Sequence, residues 1–452
     1  MKITITGASG LVGRALLKKL SLEGHEVRAL VRSPDKIHEI PSNQIFKWSS
    51  AGPVPNQALK GVDAVIHLAG EGIANKRWTK KRKKNLWDSR INGTKNLIES
   101  IESLPPSERP RLLVSASAIG FYGETGDIEV DESAPHGSDF LSRLCVEWER
   151  AAQKAEAVGL RVVRARFGIV LAREGGALSK MGPFILGNGR QWMSWIHIKD
   201  LLNFLSQTIS SEAFQGIYNL VSPEPTRNIA FTGGIAKSLR FPFVLPVPTV
   251  ALKLALGEMS QALLASQRVL PRRLHSTGFR FSYPTLENAL EDLYLNENIL
   301  DQRFFASQFV PHTRKELFQF FSKVENLEVI TPPWLHFHVL SSSTPKIEKG
   351  TLIEYWLKIH GIPIHWQTLI SNWKEESHFV DEQLKGPYKK WHHRHSFGDV
   401  PKGTLLIDEV TYRVPGGIFG RLLLSSWIKK DVEKIFCFRR EKIAELFPPR
   451  SL

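Results

Sequence analysis

The chain has 452 residues, of which 42% are hydrophobic and 23% charged, and a formal net charge of +15. This is the composition of a soluble globular protein of two or three domains, and no apolar run is long enough to span a bilayer. Its two cysteines, Cys145 and Cys437, lie far apart and form no metal-ligand spacing; with a strand that begins at once and leaves no room for a signal peptide, they make a reduced, cytoplasmic setting the expectation.

Ile3 and Ile5 alternate with polar residues, as on a short strand. Gly7, Gly10 and Gly13 follow in Gly7-Ala-Ser9-Gly10-Leu11-Val12-Gly13, and Leu16, Leu17 and Leu20 then share one helix face. A strand, a glycine turn and a helix N-terminus make an anion site, because free backbone N–H groups and the helix dipole point the same way. Gly7 permits the tight turn, Gly10 lets the backbone approach a pyrophosphate, and Gly13 lets helix and strand pack closely. The second strand, His25 to Arg32, ends on Arg32 with Ser33 and Lys36 nearby, where an NAD site carries an acidic residue for the ribose 2′-hydroxyl. A cation there suits a 2′-phosphate, so NADP is expected over NAD.

The densest basic stretch, Lys76 to Lys84, reads as a solvated helix face, since no nucleic-acid motif accompanies it. Neither a nucleic-acid partner nor membrane insertion is expected. A strand over Asp63–Gly70 runs into Leu68-Ala69-Gly70, a helix covers Trp87–Leu104, and a strand over Arg111–Ser117 ends in Ser115-Ala116-Ser117. The loop Gly120-Phe-Tyr122-Gly123, a helix over Asp139–Ala157 and one strand over Arg161–Leu171 follow. This alternation predicts an α/β, Rossmann-type doubly wound parallel sheet, whose ligands bind outside the C-terminal strand ends. Gly7, Arg32, Leu68 to Gly70 and Ser115 to Ser117 all fall at such ends and define one nucleotide cleft. His67, inside an apolar run, reads as structural. Arg164 and Arg166 either approach an anionic substrate or face solvent.

Gly7-Ala-Ser-Gly-Leu-Val-Gly13, Val65-Ile-His-Leu-Ala-Gly70, Ser115-Ala-Ser-Ala-Ile-Gly-Phe-Tyr-Gly123 and Trp195-Ile-His-Ile-Lys-Asp200 resemble the extended short-chain dehydrogenase/reductase superfamily. Glu71-Gly-Ile-Ala, Arg77-Trp78, Ser89-Arg90, Leu144-Cys-Val-Glu-Trp-Glu149, Gly175-Gly-Ala-Leu and Gln191-Trp-Met-Ser-Trp-Ile-His197 narrow this to its atypical "epimerase family protein" branch. The resemblance covers residues 1 to 297, including a small C-terminal extension over about 248–297. It implies a bound NADP and a small-molecule substrate. Its cofactor set is Gly7, Ser9, Gly10, Leu11, Val12, Gly13, Arg32, Leu68, Ala69, Gly70, Ser115 and Ala116. Ser117 matches the superfamily's substrate-orienting hydroxyl and, with Tyr122, is the catalytic candidate; Glu71, Arg77, Arg166 and His197 are candidates for substrate contact. Active members carry Tyr-x-x-x-Lys on a helix, tyrosine moving the proton and lysine lowering its pKa. None of the seven tyrosines here has lysine four residues on, and Leu141 and Cys145 fall where the dyad should lie. Three readings stay open: a reductase or epimerase using substitute groups, an NADP-binding sensor or scaffold without turnover, and a catalytic Cys145 thiol. An apolar helix face favours a core role for Cys145.

Residues 301–452 hold six of the twelve tryptophans and nine of the fifteen histidines, so a different kind of domain begins there. A strand over Arg303–Val310 precedes a helix from Thr313 to Ser322, with Glu316 placed for a capping box. Strands follow over Gly350–His360, Ile364–Glu375, His378–Gln383, Trp391–Phe397 and Gly403–Val414, then a long helix from Phe419 to Leu446. A curved antiparallel sheet around a long helix leaves an apolar cavity. His393 and His395 share one strand face and His392 the other; with no tight carboxylate set joining them, they are expected to line the cavity and no metal is expected. Asn326 to Leu335, Asp381 to His395 and Gly403 to Tyr412 resemble the START-like lipid-binding superfamily, including its polyketide cyclase/dehydrase group, over residues 303–447. That resemblance implies an α+β helix-grip fold with an apolar, lipid-like ligand. The whole chain then reads as an NADP-dependent oxidoreductase or epimerase acting on an apolar small molecule, or as a non-catalytic NADP-binding protein.

Overall fold

The computed structural model describes residues 1–178, 181–295 and 297–449. The chain divides into two compact units, with the bulk of residues 1–298 in the first and the residues from Ile299 onward making up the bulk of the second. No helix among the described residues is long and apolar enough to cross a membrane.

The first unit is built on β1 (Lys2–Thr6), α1 (Leu11–Leu22), β2 (Glu26–Val31), β3 (Ile45–Lys47), β4 (Ala64–His67), α2 (Lys80–Glu102), β5 (Leu112–Ala118), α3 (Phe140–Gln153), β6 (Arg161–Phe167), α4 (Ile198–Ser210) and β7 (Gly216–Leu220). The seven strands form one parallel sheet in the order β7-β6-β5-β4-β1-β2-β3. Its central strands are nearly continuous apolar runs because helices cover both faces; Ile3, Ile5, Val65, Ile66, Leu113 and Val114 are fully buried. Register aligns the C-terminal ends: Thr6 lies opposite Leu30 and His67, and His67 opposite Ser115.

Two predicted boundaries need correction. Helix α2 starts at Lys80 rather than Trp87, because the Thr79 hydroxyl accepts the Arg82 N–H at 3.1 Å and caps it. The single strand predicted over 161–171 breaks at Gly168 into β6 and a separate strand, Ile169–Ala172, which pairs with Trp195–His197. A Cβ at Gly168 would lie 2.7 Å from Val221 and 2.8 Å from the Ser194 carbonyl, so only glycine passes this crossing.

The second unit comprises β8 (Gln302–Val310), α5 (Arg314–Phe321), β9 (His338–Ser342), β10 (Leu352–Ile359), β11 (Ile362–Lys374), β12 (His378–Lys385), β13 (Lys390–Val400), β14 (Gly403–Arg413) and α6 (Gly417–Leu446). Its sheet is antiparallel throughout, in the order β8-β14-β13-β12-β11-β10-β9. Strand β9, not anticipated from the sequence, is largely exposed and joins β10 across a bulge at Val339/Ser341. The predicted capping box is present: Glu316 N–H donates to the Thr313 hydroxyl at 3.3 Å, and Thr313 N–H to the Glu316 carboxylate at 3.0 Å. Val432, Phe436 and Ile443 of α6 pack onto the sheet among Phe318, Phe321, Phe397, Leu406 and Val410. Register shifts in β11 at Gln367/Thr368 and Ile370/Asn372 add local twist.

Candidate functional site

The glycine turn at the end of β1 is built as the sequence reading expects. Gly7 has φ +68°, and a Cβ there would sit 2.8 Å from the Leu68 carbonyl oxygen. A Cβ on Gly13 would overlap the Gly7 carbonyl and lie 2.8 Å from Ala8 Cα, so helix and strand touch backbone to backbone. Gly10 N–H donates to Gly7 C=O at 2.9 Å, and Arg14 N–H to Gly10 C=O at 2.9 Å. The N–H groups of Leu11, Val12 and Gly13 thus form the open end of α1. Ser9 and Gly10 are exposed, Leu11 and Val12 half-buried.

Behind this turn runs a hydrogen-bond chain that holds the neighbouring strand ends. The Thr6 hydroxyl accepts the N–H groups of Leu68 and Ala69 at 3.1 and 3.0 Å, and contacts His67 Nδ1 at 2.8 Å. His67 Nε2 lies 3.0 Å from the Thr94 hydroxyl, which donates to Arg90 C=O at 2.6 Å. Proton counting assigns the order: Thr6 donates to Nδ1, and Nε2–H donates to Thr94, so the imidazole is neutral. Burial, with help from the Arg90 charge, lowers the His67 pKa to about 4. The structural role expected for His67 is what the geometry shows. Because the unfolded chain binds its proton near pH 6.5 and the folded chain only near 4, stability is full above 6.5 and falls as pH drops between them, by up to about 3 kcal/mol. Urea midpoints measured from pH 7 to 4 should show this loss, and His67→Gln should flatten the slope; an unchanged slope would count against it.

Arg32 stands at the end of β2 with its side chain 77% exposed, 3.2 Å from Glu71. Glu71 also pairs with Arg82 at 3.0 Å. That hydrogen bond and both arginine charges hold its carboxyl below the usual range. Arg82 is buried, which corrects the reading of Lys76 to Lys84 as an entirely solvated face. Below, Arg90 donates to Glu71 C=O at 3.0 Å, and a Cβ on Gly70 would meet its guanidinium at 3.1 Å. Glu71 therefore organises the loop after β4. Arg77 lies apart from it and donates to Leu254 C=O at 3.2 Å.

Ser117, Tyr122 and Arg166 meet in one buried network. Ser117 donates to Glu149 at 2.7 Å; Arg166 makes a two-point pair with the same carboxylate at 2.7 and 2.9 Å and donates to the Tyr122 hydroxyl at 2.8 Å. Tyr122 donates in turn to Asn219 at 2.7 Å, and the Arg166 guanidinium lies 3.4 Å over the Phe121 ring. Arg166 thus neither faces solvent nor holds a free fork. Burial raises the Tyr122 pKa to about 12. Ser115 and Ala116 are buried within β5. Glu149 and Asn219 were not legible as network members, since nothing in their spacing marks them.

Leu141 and Cys145 pack against Gly120, where a Cβ would lie 3.4 Å from Leu141 and 3.9 Å from the thiol. The space beside Leu141 holds about 30 Å³, lined by Trp78, Phe140 and Gln267 among others; that is room for about one water. Burial and Glu149 raise the Cys145 thiol to about 12, so it stays protonated and behaves as core. His197 is fully buried away from this network: it caps α4, lies against the Tyr283 ring with centroids 3.9 Å apart, and sits 3.4 Å from Asp292. Asp200 accepts the N–H groups of Ser282 and Tyr283, so this segment clamps the extension after residue 248.

A family model described as the NAD dependent epimerase/dehydratase family matches residues 3–220, and a second, a domain of unknown function (DUF1731), matches 247–293. The epimerase family protein SDR39U1 homolog, chloroplastic, of Arabidopsis thaliana is 37% identical over 306 residues, which cover 64% of this chain and 86% of that one. The chain belongs to the NAD dependent epimerase/dehydratase family. The epimerase family protein YfhF of Bacillus subtilis is 36% identical over 300 residues, 65% of this chain and 98% of that one. The solved structure of the human epimerase family protein SDR39U1 with NADPH is 30% identical, with a TM-score of 0.57, over 66% of this chain and 100% of that one.

The second unit carries a cavity of about 190 Å³ between its sheet and α6. Its walls are apolar, with Phe321, Ile353, Trp366 and Phe436 among them, but Asp381, His393, His395 and Arg439 also line it. His393 and His395 are buried and His392 is half-buried on the other face, as the strand alternation predicts. The expectation that no tight carboxylate set joins them is corrected. Asp381, one strand over, lies 3.3 Å from His393 and 3.0 Å from His395, and Asp408 lies 3.0 and 2.8 Å from the same two rings. Neither aspartate is near the histidines in sequence; β12 and β14 bring them in from either side of β13.

Proposed function

We propose that the N-terminal domain binds NADP(H) in preference to NAD(H), and that the C-terminal domain is a START-like helix-grip module holding a hydrophobic small molecule. The observation that carries the cofactor reading is the Gly7–Gly13 turn, where a Cβ at Gly7 or Gly13 would meet backbone below 3.0 Å and α1 opens with its N–H groups. It is supported by the NADPH bound in the human relative. Arg32, exposed at the end of β2, would meet the 2′-phosphate, exchanging its Glu71 partner for it. Leu68, Ala69, Gly70, Ser115 and Ala116 would flank the cofactor with backbone and small side chains. When bound, NADP(H) supplies a hydride donor or acceptor. Ser117 and Tyr122 are the hydroxyls proposed to hold a substrate, with Glu71, Arg77 and Arg166 as the remaining candidates. A tyrosine with its pKa near 12 and its hydroxyl doubly paired does not remove a proton at neutral pH. For Tyr122 to react, a substrate must first displace Asn219 or Arg166 from it.

A second reading, NADP binding without turnover, is favoured by one observation. Leu141 and Cys145 fill the helix positions where a proton-transfer dyad would stand. Calorimetric titration with NADPH and NADH tests the cofactor. NADPH should bind at least about tenfold tighter, as expected for a charged contact of about 1.5 kcal/mol or more, and Arg32→Asp should erase the difference. Equal affinities in the unsubstituted chain, or an undiminished preference in Arg32→Asp, would sink the NADP assignment. Following NADPH absorbance with a carbonyl library then separates turnover from binding alone.

A further inference from the structure

The buried cluster at the C-terminal cavity sets two imidazole rings between two carboxyls. Asp381 Oδ2 faces His393 Nδ1 at 3.3 Å and His395 Nε2 at 3.0 Å. Asp408 Oδ1 faces His393 Nε2 at 3.0 Å and His395 Nδ1 at 2.8 Å. Two of these contacts, His393 Nε2 with Asp408 and His395 Nε2 with Asp381, have hydrogen-bond geometry and are filled by two neutral imidazoles, while His395 Nδ1 lies 3.4 Å from the Arg439 guanidinium. Filling the other two close contacts with hydrogens as well would make two imidazolium rings with centroids 3.8 Å apart beside Arg439. Three cations packed so closely in a desolvated site repel strongly.

A cation shared by the ring nitrogens brings all four close contacts into use without an imidazolium. If Asp408 accepts one N–H from each ring, His393 Nδ1 and His395 Nε2 are left as lone pairs 3.3 and 3.0 Å from Asp381 Oδ2. One ligand atom from each of Asp381, His393 and His395 lies within 4.8 Å of the others. The 3.3 and 3.0 Å separations match the roughly 3.3 Å between ligands spaced about 2.0–2.1 Å from a tetrahedral ion. Asp408 then does what a carboxylate behind ligating histidines does: it sets both tautomers and aims both rings. Arg439 balances the Asp408 charge.

We propose that Asp381, His393 and His395 form a binding site for an imidazole-preferring divalent transition metal, zinc or iron(II), with its open coordination positions facing the apolar cavity. Three protein ligands and an open position are the pattern of a metal that acts on a bound molecule rather than one that only braces a fold. The ion would present water, or a polar head group of the cavity's occupant, at the one charged spot on an apolar wall. This site stands on the cluster's geometry and does not depend on the cofactor or the reaction of the N-terminal domain.

The test uses the full chain, stripped with chelator and titrated with Co²⁺ as a coloured probe, then with Zn²⁺ and, without oxygen, Fe²⁺. One equivalent of Co²⁺ should bind and give intense visible bands. Displacement by Zn²⁺ assigns zinc; stoichiometric Fe²⁺ binding that resists Zn²⁺ assigns iron. His395→Gln and Asp381→Asn should abolish the bands, Asp408→Asn should weaken binding about 10–100-fold at unchanged stoichiometry, and His392→Ala should leave it intact. Circular dichroism checks that each variant is folded. Absence of binding by the unsubstituted, folded chain would overturn the proposal without any variant, and so would Co²⁺ bands that survive in a folded His395→Gln.

Discussion

Gly13→Ala is expected to lower NADPH affinity about 100-fold, equivalent to about 2.7 kcal/mol. The added methyl would overlap the Gly7 carbonyl and crowd Ala8 Cα, both backbone atoms that cannot turn aside. Relief requires α1 to move off β1, which takes the open N–H groups of Leu11 to Gly13 away from the phosphates they would hold. Losing even one or two hydrogen bonds to a charged group accounts for the size of the effect. Overpacking should also destabilise the fold by about 1–3 kcal/mol, so binding must be measured where the variant is folded. Gly52→Ala is the control, because a Cβ there has no heavy atom within 4 Å and its φ is not positive. Calorimetric titration reads the result; unchanged NADPH affinity in Gly13→Ala would remove this turn from the cofactor site.

The second large effect is expected at Arg166, where Arg166→Met should cost about 3–5 kcal/mol of stability, read as a shift in urea midpoint at constant m-value. The substitution leaves the Glu149 carboxylate 5% exposed with only Ser117 to bond, and Tyr122 without its donor. The penalty is that of an uncompensated buried charge rather than the net worth of the pair. Removing both charges, in Glu149→Gln with Arg166→Met, should therefore recover most of the loss. A cost below about 1 kcal/mol for Arg166→Met alone would mean that water reaches Glu149 and that the network is open to a substrate in the folded chain.

These two sites differ in how far they could be read in advance. The glycine turn is a local device. Three glycines at a spacing of three between a strand and a helix have one economical use, so Gly7, Gly10 and Gly13 declare it without any distant partner. Arg32 declares itself in the same way, by its place at the end of the second strand. The Ser117–Tyr122–Arg166 group was legible only as separate candidates. What joins them is Glu149, on a helix between their strands, and no periodicity announces that its carboxylate turns inward. His197, read as a possible neighbour of the substrate, instead clamps the extension, because Asp292 and Tyr283 reach it from residues nearly a hundred positions later.

In the C-terminal domain, strand alternation alone separates His392 from His393 and His395, and the spacing of turns marks most of the strands and the long helix. The sequence by itself thus determined the order of elements, the phosphate-binding turn, and which histidines share a face, since all of these follow from short-range periodicity. Only the tertiary structure decided that Glu149 neutralises Arg166, that Arg82 is buried against Glu71, and that Asp381 and Asp408 bracket His393 and His395. Those pairings join separate elements 11 to 17 residues apart, a spacing that no helix or strand period sets. Burial turns each of them from an ordinary surface charge into a group whose partner, and whose protons, must be accounted for.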